Sequence, residues 1–77
     1  MNRARKHKIK EAIKHIDCGA SLLTTVLDQE SDVMDNWPEN LQSTERYIQC
    51  EDAVDGLETA LSNIHEALPY LEDIIAR

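Results

Sequence analysis

Cationic side chains crowd the first fifteen residues of the sequence. This segment holds six Arg and Lys residues against the single Glu11. Five of them lie within one short stretch: Arg3, Arg5, Lys6, Lys8 and Lys10. Such a cluster creates a local positive field that attracts phosphate, so we expect these five residues to be candidates for binding a phosphorylated ligand. The competing interpretation is charge pairing, either within the same helix or with Glu66, Glu72 and Asp73 near the other end of the chain.

A second candidate group lies at the middle of the chain. Trp37 is the only tryptophan, and Arg46 and Tyr47 follow it within ten residues. An exposed tryptophan beside an arginine and a tyrosine is typical of a protein-binding hot spot or of a surface on which a base stacks. The alternative is structural, because Trp37 can instead fold over the end of a helical bundle and cover Met34 and Tyr47.

The sequence lacks the patterns that catalysis and metal binding require. It has no nucleophile motif, no glycine loop that cradles phosphate and no paired-cysteine metal signature. His15 and Cys18 are three residues apart, but two ligands do not make a zinc site. Cys18 and Cys50 are expected to be free thiols. We therefore predict a non-enzymatic protein with no catalytic residue, no metal and no cofactor.

The rest of the chain is strongly acidic. The net charge is −7, although residues 1 to 15 alone carry +5, so residues 16 to 77 carry −12. An acidic body repels a long polyanion, which disfavours duplex DNA but leaves room for a compact phosphate ligand at the basic end. Four acidic residues recur at multiples of seven and form either a solvated helix face or a surface that imitates DNA: Glu45, Asp52, Glu66 and Asp73.

Apolar residues repeat at alternating spacings of three and four along two long stretches, which we call seams. The first seam contains Ile9, Ile13, Ile16, Ala20, Leu23, Leu27, Glu30 and Met34, and the second contains Tyr47, Cys50, Val54, Leu57, Leu61, Ile64, Leu68, Leu71 and Ile75. This heptad spacing predicts two helices and excludes strands, whose side chains alternate with period two. The polar member, Glu30, is expected either to be solvated or to bond Ser43, Thr44 or the Tyr47 hydroxyl.

A short connection between the seams predicts a hairpin. Pro38 disfavours helical geometry at the preceding residue, and Ser43 or Thr44 is a suitable N-cap for the second helix. We predict one domain over residues 1–77, with helix 1 at about 3–34, the hinge at 35–42 and helix 2 at about 43–75. The short hinge makes the helices antiparallel, so that Leu27 lies near Val54.

A further row of small and apolar residues lies beside each seam. This third row contains Ala12, Gly19, Val26 and Val33 on helix 1 and Ala53, Ala60, Ala67 and Ile74 on helix 2. Together with the seams it makes an apolar stripe too wide for one pair of helices. The predicted fold is therefore an all-α, two-helix antiparallel coiled-coil hairpin that assembles into a four-helix bundle, as a homodimer, or into a higher oligomer.

The segment NWPENLQSTERY, with the basic opening and the helix that follows, resembles short uncharacterised proteins encoded by bacteriophages and mobile elements of Gram-positive bacteria. The resemblance implies a phage or mobile-element origin and a hairpin shape, but no established activity. Because small phage proteins without enzyme motifs often block host defences, we expect a counter-defence role, in which the protein sequesters a host immune nucleotide signal. The alternative is a protein–protein inhibitor or adaptor of a host defence protein, acting through its acidic helical face. No stretch reaches the ~18 apolar residues that a membrane span needs, so the expected location is the host cytoplasm.

Overall fold

The computed structural model describes residues 1–77 and consists of two long helices joined by a short turn. Helix α1 spans Arg3–Asp35 and helix α2 spans Glu45–Ala76, with a 3-10 turn at Glu39–Leu41 between them. The chain has no strand, and α1 packs against α2. The predicted all-helical architecture of two packed helices is confirmed, with helix ends within two residues of the predicted ones.

Short polar side chains define where the helices begin and end. The Asn2 side chain accepts a hydrogen bond from the Arg5 backbone N–H at 2.9 Å and so caps α1. At the other end of α1, the Asn36 side chain donates to the Asp32 carbonyl at 2.9 Å. Of the two residues predicted to cap α2, Thr44 does so: its hydroxyl oxygen accepts from the Tyr47 N–H at 3.4 Å.

The seams form the contact between the helices. Every residue of both seams is buried or half-buried, including the polar Glu30. Four seam residues are buried: Ala20, Cys50, Val54 and Leu61. Helix α2 continues through Pro69, which lies between the seam residues Leu68 and Leu71.

The hairpin is long and thin. It measures 59 × 15 × 14 Å, with a radius of gyration of 17.5 Å against about 11.5 Å for a compact chain of this length. Its accessible surface is 5953 Å², whereas a compact monomer of 8.8 kDa exposes about 4,800 Å². A single hairpin thus leaves exposed a large surface that folded monomers of its size bury.

Candidate functional site

An open groove lies at the end of the hairpin where the two termini meet. It has a volume of about 470 Å³ and is lined by the first turns of α1 and by Ile75 of α2. Arg3, Lys6, His7 and Lys10 contribute its polar surface, and no acidic side chain lines it. The groove therefore brings together three of the five cations predicted to hold phosphate.

The cations of this groove have no acidic partners in the hairpin. The molecule has two acid–base contacts, His7 Nε2 to Glu11 Oε1 at 3.1 Å and Arg77 to Asp73 at 2.8 Å, each within one helix. Of the alternative prediction, the pairing of Glu66, Glu72 and Asp73 with the basic segment across the interface is therefore wrong, whereas pairing within the helix occurs between His7 and Glu11. Glu66, Glu72 and Asp73 are exposed and lie too far from the cations for ion pairs, so Arg3, Lys6 and Lys10 are available to an anion.

The other two cations of the predicted cluster lie elsewhere on the helix. Arg5 and Lys8 are exposed and do not line the groove. At 100° per residue, they are turned towards the side of α1 that carries the third row. The five candidates thus form two groups around the helix rather than one site.

Sequence reasoning missed His7 and Ile75 as groove residues. The signal that could have found them is the heptad itself: Lys6 precedes Ile13 by seven residues and so continues the first seam. Because the helices are antiparallel, this extension faces the end of α2, where Ile75 closes the second seam. The groove is the place where the seam changes from apolar to cationic side chains.

At the hinge, Trp37 packs against Tyr47 rather than standing free. Their ring centroids are 6.0 Å apart and the rings meet edge to face at 64°. The indole N–H donates to the Leu41 carbonyl at 3.1 Å, and both aromatic side chains are half-buried. Arg46 is exposed and lacks an acidic partner. This geometry favours the structural interpretation of Trp37, which closes the hinge end of the hairpin.

Glu30 has a partner that the sequence did not indicate. The Cys50 thiol donates to Glu30 Oε2 at 3.4 Å and lies 3.8 Å from the Glu30 carbonyl oxygen. Burial raises the pKa of the Cys50 thiol, and the hydrogen bond to the Glu30 carboxylate and its negative charge raise that pKa further. The contact lies in the seam, and its register agrees with the predicted pairing of Leu27 with Val54.

The rest of the hairpin shows neither a cluster of metal ligands nor a membrane-spanning helix, and its second groove differs from the basic one. Nowhere do three His, Cys, Asp or Glu side chains come together in a way that could hold a metal ion. Neither helix has a stretch both long and apolar enough to cross a membrane. A second groove beside Pro69 is lined by Ser62, His65, Glu66 and Tyr70, so a carboxylate stands within it.

Comparison of the chain with protein-family models, with curated proteins and with solved structures found no match. The functional argument therefore depends on the groove, the hinge and the distribution of charge. Of these, only the groove combines a concave surface with several unpaired charges of one sign.

Proposed function

We propose that this protein is a non-enzymatic binding protein that self-associates and holds a small phosphorylated ligand in the groove at its open end. The observation that supports this most directly is the convergence of Arg3, Lys6 and Lys10 on one groove, where none of the three forms an ion pair and the nearby Glu11 contacts His7. Arg and Lys side chains donate charge-assisted hydrogen bonds to phosphate, and the groove has room for more than one phosphate oxygen.

A nucleotide is the ligand class that we propose. A compact anion avoids the repulsion that the acidic body exerts on a long nucleic acid. The apolar wall at Ala4 and Ile75 offers a surface for the base or sugar. The resemblance to phage and mobile-element proteins supports a counter-defence role, in which the protein sequesters a host immune nucleotide in the host cytoplasm.

The test is to measure ligand binding by the purified protein with thermal shift and calorimetry. The probes are linear and cyclic adenine and guanine nucleotides, with inorganic phosphate as the ligand without a base. We expect a nucleotide to raise the Tm and to bind less tightly as salt is increased. Lys6→Gln should weaken binding about fivefold, or roughly 1 kcal/mol, because it removes one exposed charge-assisted contact.

Lys14→Gln is the control, because Lys14 is another lysine of α1 that does not line the groove. It should leave nucleotide affinity nearly unchanged. Equal losses in the two variants would show a diffuse charge effect rather than a site. Absence of binding to any of the probes would remove nucleotides as the ligand class.

The distribution of acidic residues supports a second candidate function. Residues 20 to 61 hold ten acidic side chains and only one basic one, Arg46, and none of the ten forms an ion pair. The row at Glu45, Asp52, Glu66 and Asp73 is exposed along α2. A host protein with a basic surface would fit this face, so the alternative is an inhibitor or adaptor. Salt-sensitive capture of one host protein, without any nucleotide-induced shift, would favour it.

A further inference from the structure

We propose that a second copy of this chain docks on the third-row side of the hairpin, with the hinge of each copy beside the open end of the other. This inference gives a surface and an orientation to the self-association included in the proposed function. It does not depend on the ligand. The docking face, as we call it, consists of the third row and the next row outward. The third-row position also includes Arg5 and Arg46. The outward row contains Leu22, Gly56 and Tyr70 together with the polar residues Lys8, His15, Gln29, Gln49 and Asn63.

Both helices contribute to this one face. An antiparallel pair has an approximate two-fold axis perpendicular to the plane of the hairpin, and rotation about that axis keeps equivalent rows on the same side. The third row precedes the seam by one residue in each helix, as Ala12 precedes Ile13 and Ala53 precedes Val54. The two halves of the row therefore lie side by side.

No carboxylate occupies either row of the docking face, although Tyr70 at its edge borders Glu66 in the groove beside Pro69. Thirteen of the fifteen acidic residues lie at outward positions of α1 and α2, the exceptions being Glu30 in the seam and Glu39 in the turn. An even distribution over the five outward heptad positions would place about five of them on this face, yet all thirteen lie on the other three rows. A solvated helix face has no reason to exclude one sign of charge completely, whereas a buried interface does.

Large apolar side chains stand uncovered on the same face. Leu22 is 71% exposed, Tyr70 is 76% exposed, and Val26 and Val33 are 44% and 49% exposed. Single exposed apolar residues are ordinary, but four of the five large exposed apolar side chains of the two helices lie on this face, the exception being Ile48 at 47%. The opposite side of α1 carries Asp17, Ser21 and Thr24 instead.

The two glycines also indicate the close approach of another helix. Gly19 and Gly56 both lie on the docking face, and a Cβ atom placed on either one meets nothing within 4 Å. Glycine inside a helix destabilises it by about 1 kcal/mol relative to alanine, and no contact within the hairpin requires its small size. A second hairpin packed backbone to backbone against these positions would require it.

The dimensions of the face suit a stable dimer. A surface 59 Å long and 15 Å wide offers on the order of 800 Å² per copy, which is the area that a specific protein interface needs from each partner. The hairpin exposes about 1,200 Å² more than a compact monomer of its mass, so burial of this face would remove most of the excess.

The uneven distribution of charge along the hairpin favours one relative direction of the two copies. The half of the hairpin that contains the hinge, residues 20 to 61, carries −9, and the half with the open end carries +2. Packing with like ends together would set the two acidic halves against each other. Packing in opposite directions instead sets each acidic half beside a basic one. Arg5 and Lys8, which lie outside the groove, would then approach the hinge half of the partner, whose carboxylates lie on the rows beside the docking face and whose third row carries Arg46.

One pair of variants tests the surface. Ala60→Glu introduces a carboxylate at the centre of the docking face, and Thr59→Glu introduces the same group at the neighbouring exposed position outside it. Sedimentation of the unmodified protein and of Thr59→Glu should show dimers at micromolar concentration, whereas Ala60→Glu should raise the dissociation constant at least tenfold while remaining helical by circular dichroism. A monomeric unmodified protein, or equal dimerisation of the two variants, would overturn the proposal.

A distance measurement tests the orientation. With Cys18 replaced by serine, a spin label at Asn40→Cys marks the exposed hinge, while the buried Cys50 stays unlabelled. Opposite packing predicts that the two labels of a dimer lie near the 59 Å length of the molecule. Packing with like ends together would bring them within about 20 Å, or two interhelical spacings, and would contradict the proposed orientation.

Discussion

The contact between Glu30 and Cys50 shows how a residue of one helix determines the properties of a residue on the other. Glu30 is acidic at a seam position where the rest of the seam is apolar, and it is tolerated because the Cys50 thiol donates a hydrogen bond to it. The contact in turn makes Cys50 a poor nucleophile, since burial and the nearby carboxylate both raise the pKa of its thiol. Cys18, by contrast, is exposed.

We predict that the two cysteines differ strongly in reactivity. At pH 8, iodoacetamide should modify Cys18 much faster than Cys50, because less of the Cys50 thiol is ionised and less of it is accessible. Glu30→Gln removes the negative charge and should shift the pH profile of Cys50 modification to lower pH. Peptide mass spectrometry at a series of pH values measures both effects. Equal rates at the two cysteines in the folded protein would contradict the burial of Cys50.

The same pKa shift gives a direction to the pH dependence of stability. The pKa of Cys50 is higher in the folded chain than in the unfolded one, so the protonated thiol favours folding. This contribution is fully present below the ordinary thiol pKa and is lost as the pH rises through the higher, folded-state value. Stability measured by urea unfolding should therefore fall on the alkaline side, and less so when Cys50 is replaced by alanine.

Each helix of the hairpin depends on its seam, because the rest of its surface is solvated. Only four residues of the whole chain are buried, and all four are seam residues: Ala20, Cys50, Val54 and Leu61. The interface between α1 and α2 therefore buries few side chains. The free energy of unfolding should be sensitive to a single substitution at one of these positions.

We predict that Leu61→Asp abolishes the folded state or lowers the Tm steeply. The change removes a buried apolar side chain, which alone destabilises by about 2–5 kcal/mol, and it also places a charge in the seam. Ser62→Asp is the matched control, because Ser62 is exposed on the next position of α2 and should change the Tm little. Thermal unfolding followed by circular dichroism distinguishes them. A small effect of Leu61→Asp would refute the seam register.

The seams and the turn could be predicted from the sequence because both obey local rules. Heptad spacing specified which side chains meet, and Pro38 and Thr44 specified where the helices stop and start. The contacts that could not be predicted depend on exact register and rotation. The sequence did not distinguish Ser43 from Thr44 as the N-cap of α2, because the choice depends on the conformation of the turn. It did not identify Cys50 as the partner of Glu30 either, because that contact depends on the axial register of the two helices.

The candidate site was predicted in composition but not in arrangement. The five candidate cations near the N-terminus were evident, whereas the division between Arg3, Lys6 and Lys10 in the groove and Arg5 and Lys8 on the third-row side follows from helical rotation that a list of basic residues does not show. Trp37 gave the opposite result: its type indicated binding, but its contact with Tyr47 and its hydrogen bond to Leu41 give it a structural role.

At the scale of the whole molecule, the hairpin is tied together at one end only. The hinge joins α1 and α2 covalently, so Glu30 and Cys50 meet across only 20 residues of chain. The open end brings Lys6 and Lys10 beside Ile75, across almost the entire sequence. Closing a longer loop carries a larger entropic penalty, so local opening should begin at the termini.

Amide hydrogen exchange should reveal this gradient. In a dilute, monomeric sample, we expect the slowest exchange near Cys50 and Val54 and the fastest along the first turns of α1 and the last turns of α2. A bound nucleotide should slow exchange in residues 3 to 10 more than near the hinge. Uniform protection along both helices in the monomer would show that the hairpin opens in a single step.

The single covalent tie has a consequence for folding as well as for binding. The chain should close like a zipper from the hinge, so the groove for the ligand is the last part to form and the first to open. In the proposed dimer, the early-forming hinge half of one copy lies against the late-forming end of the other. Each copy would then act as a template on which its partner completes folding, and dilution would fray the ligand groove before it unfolds the hairpin.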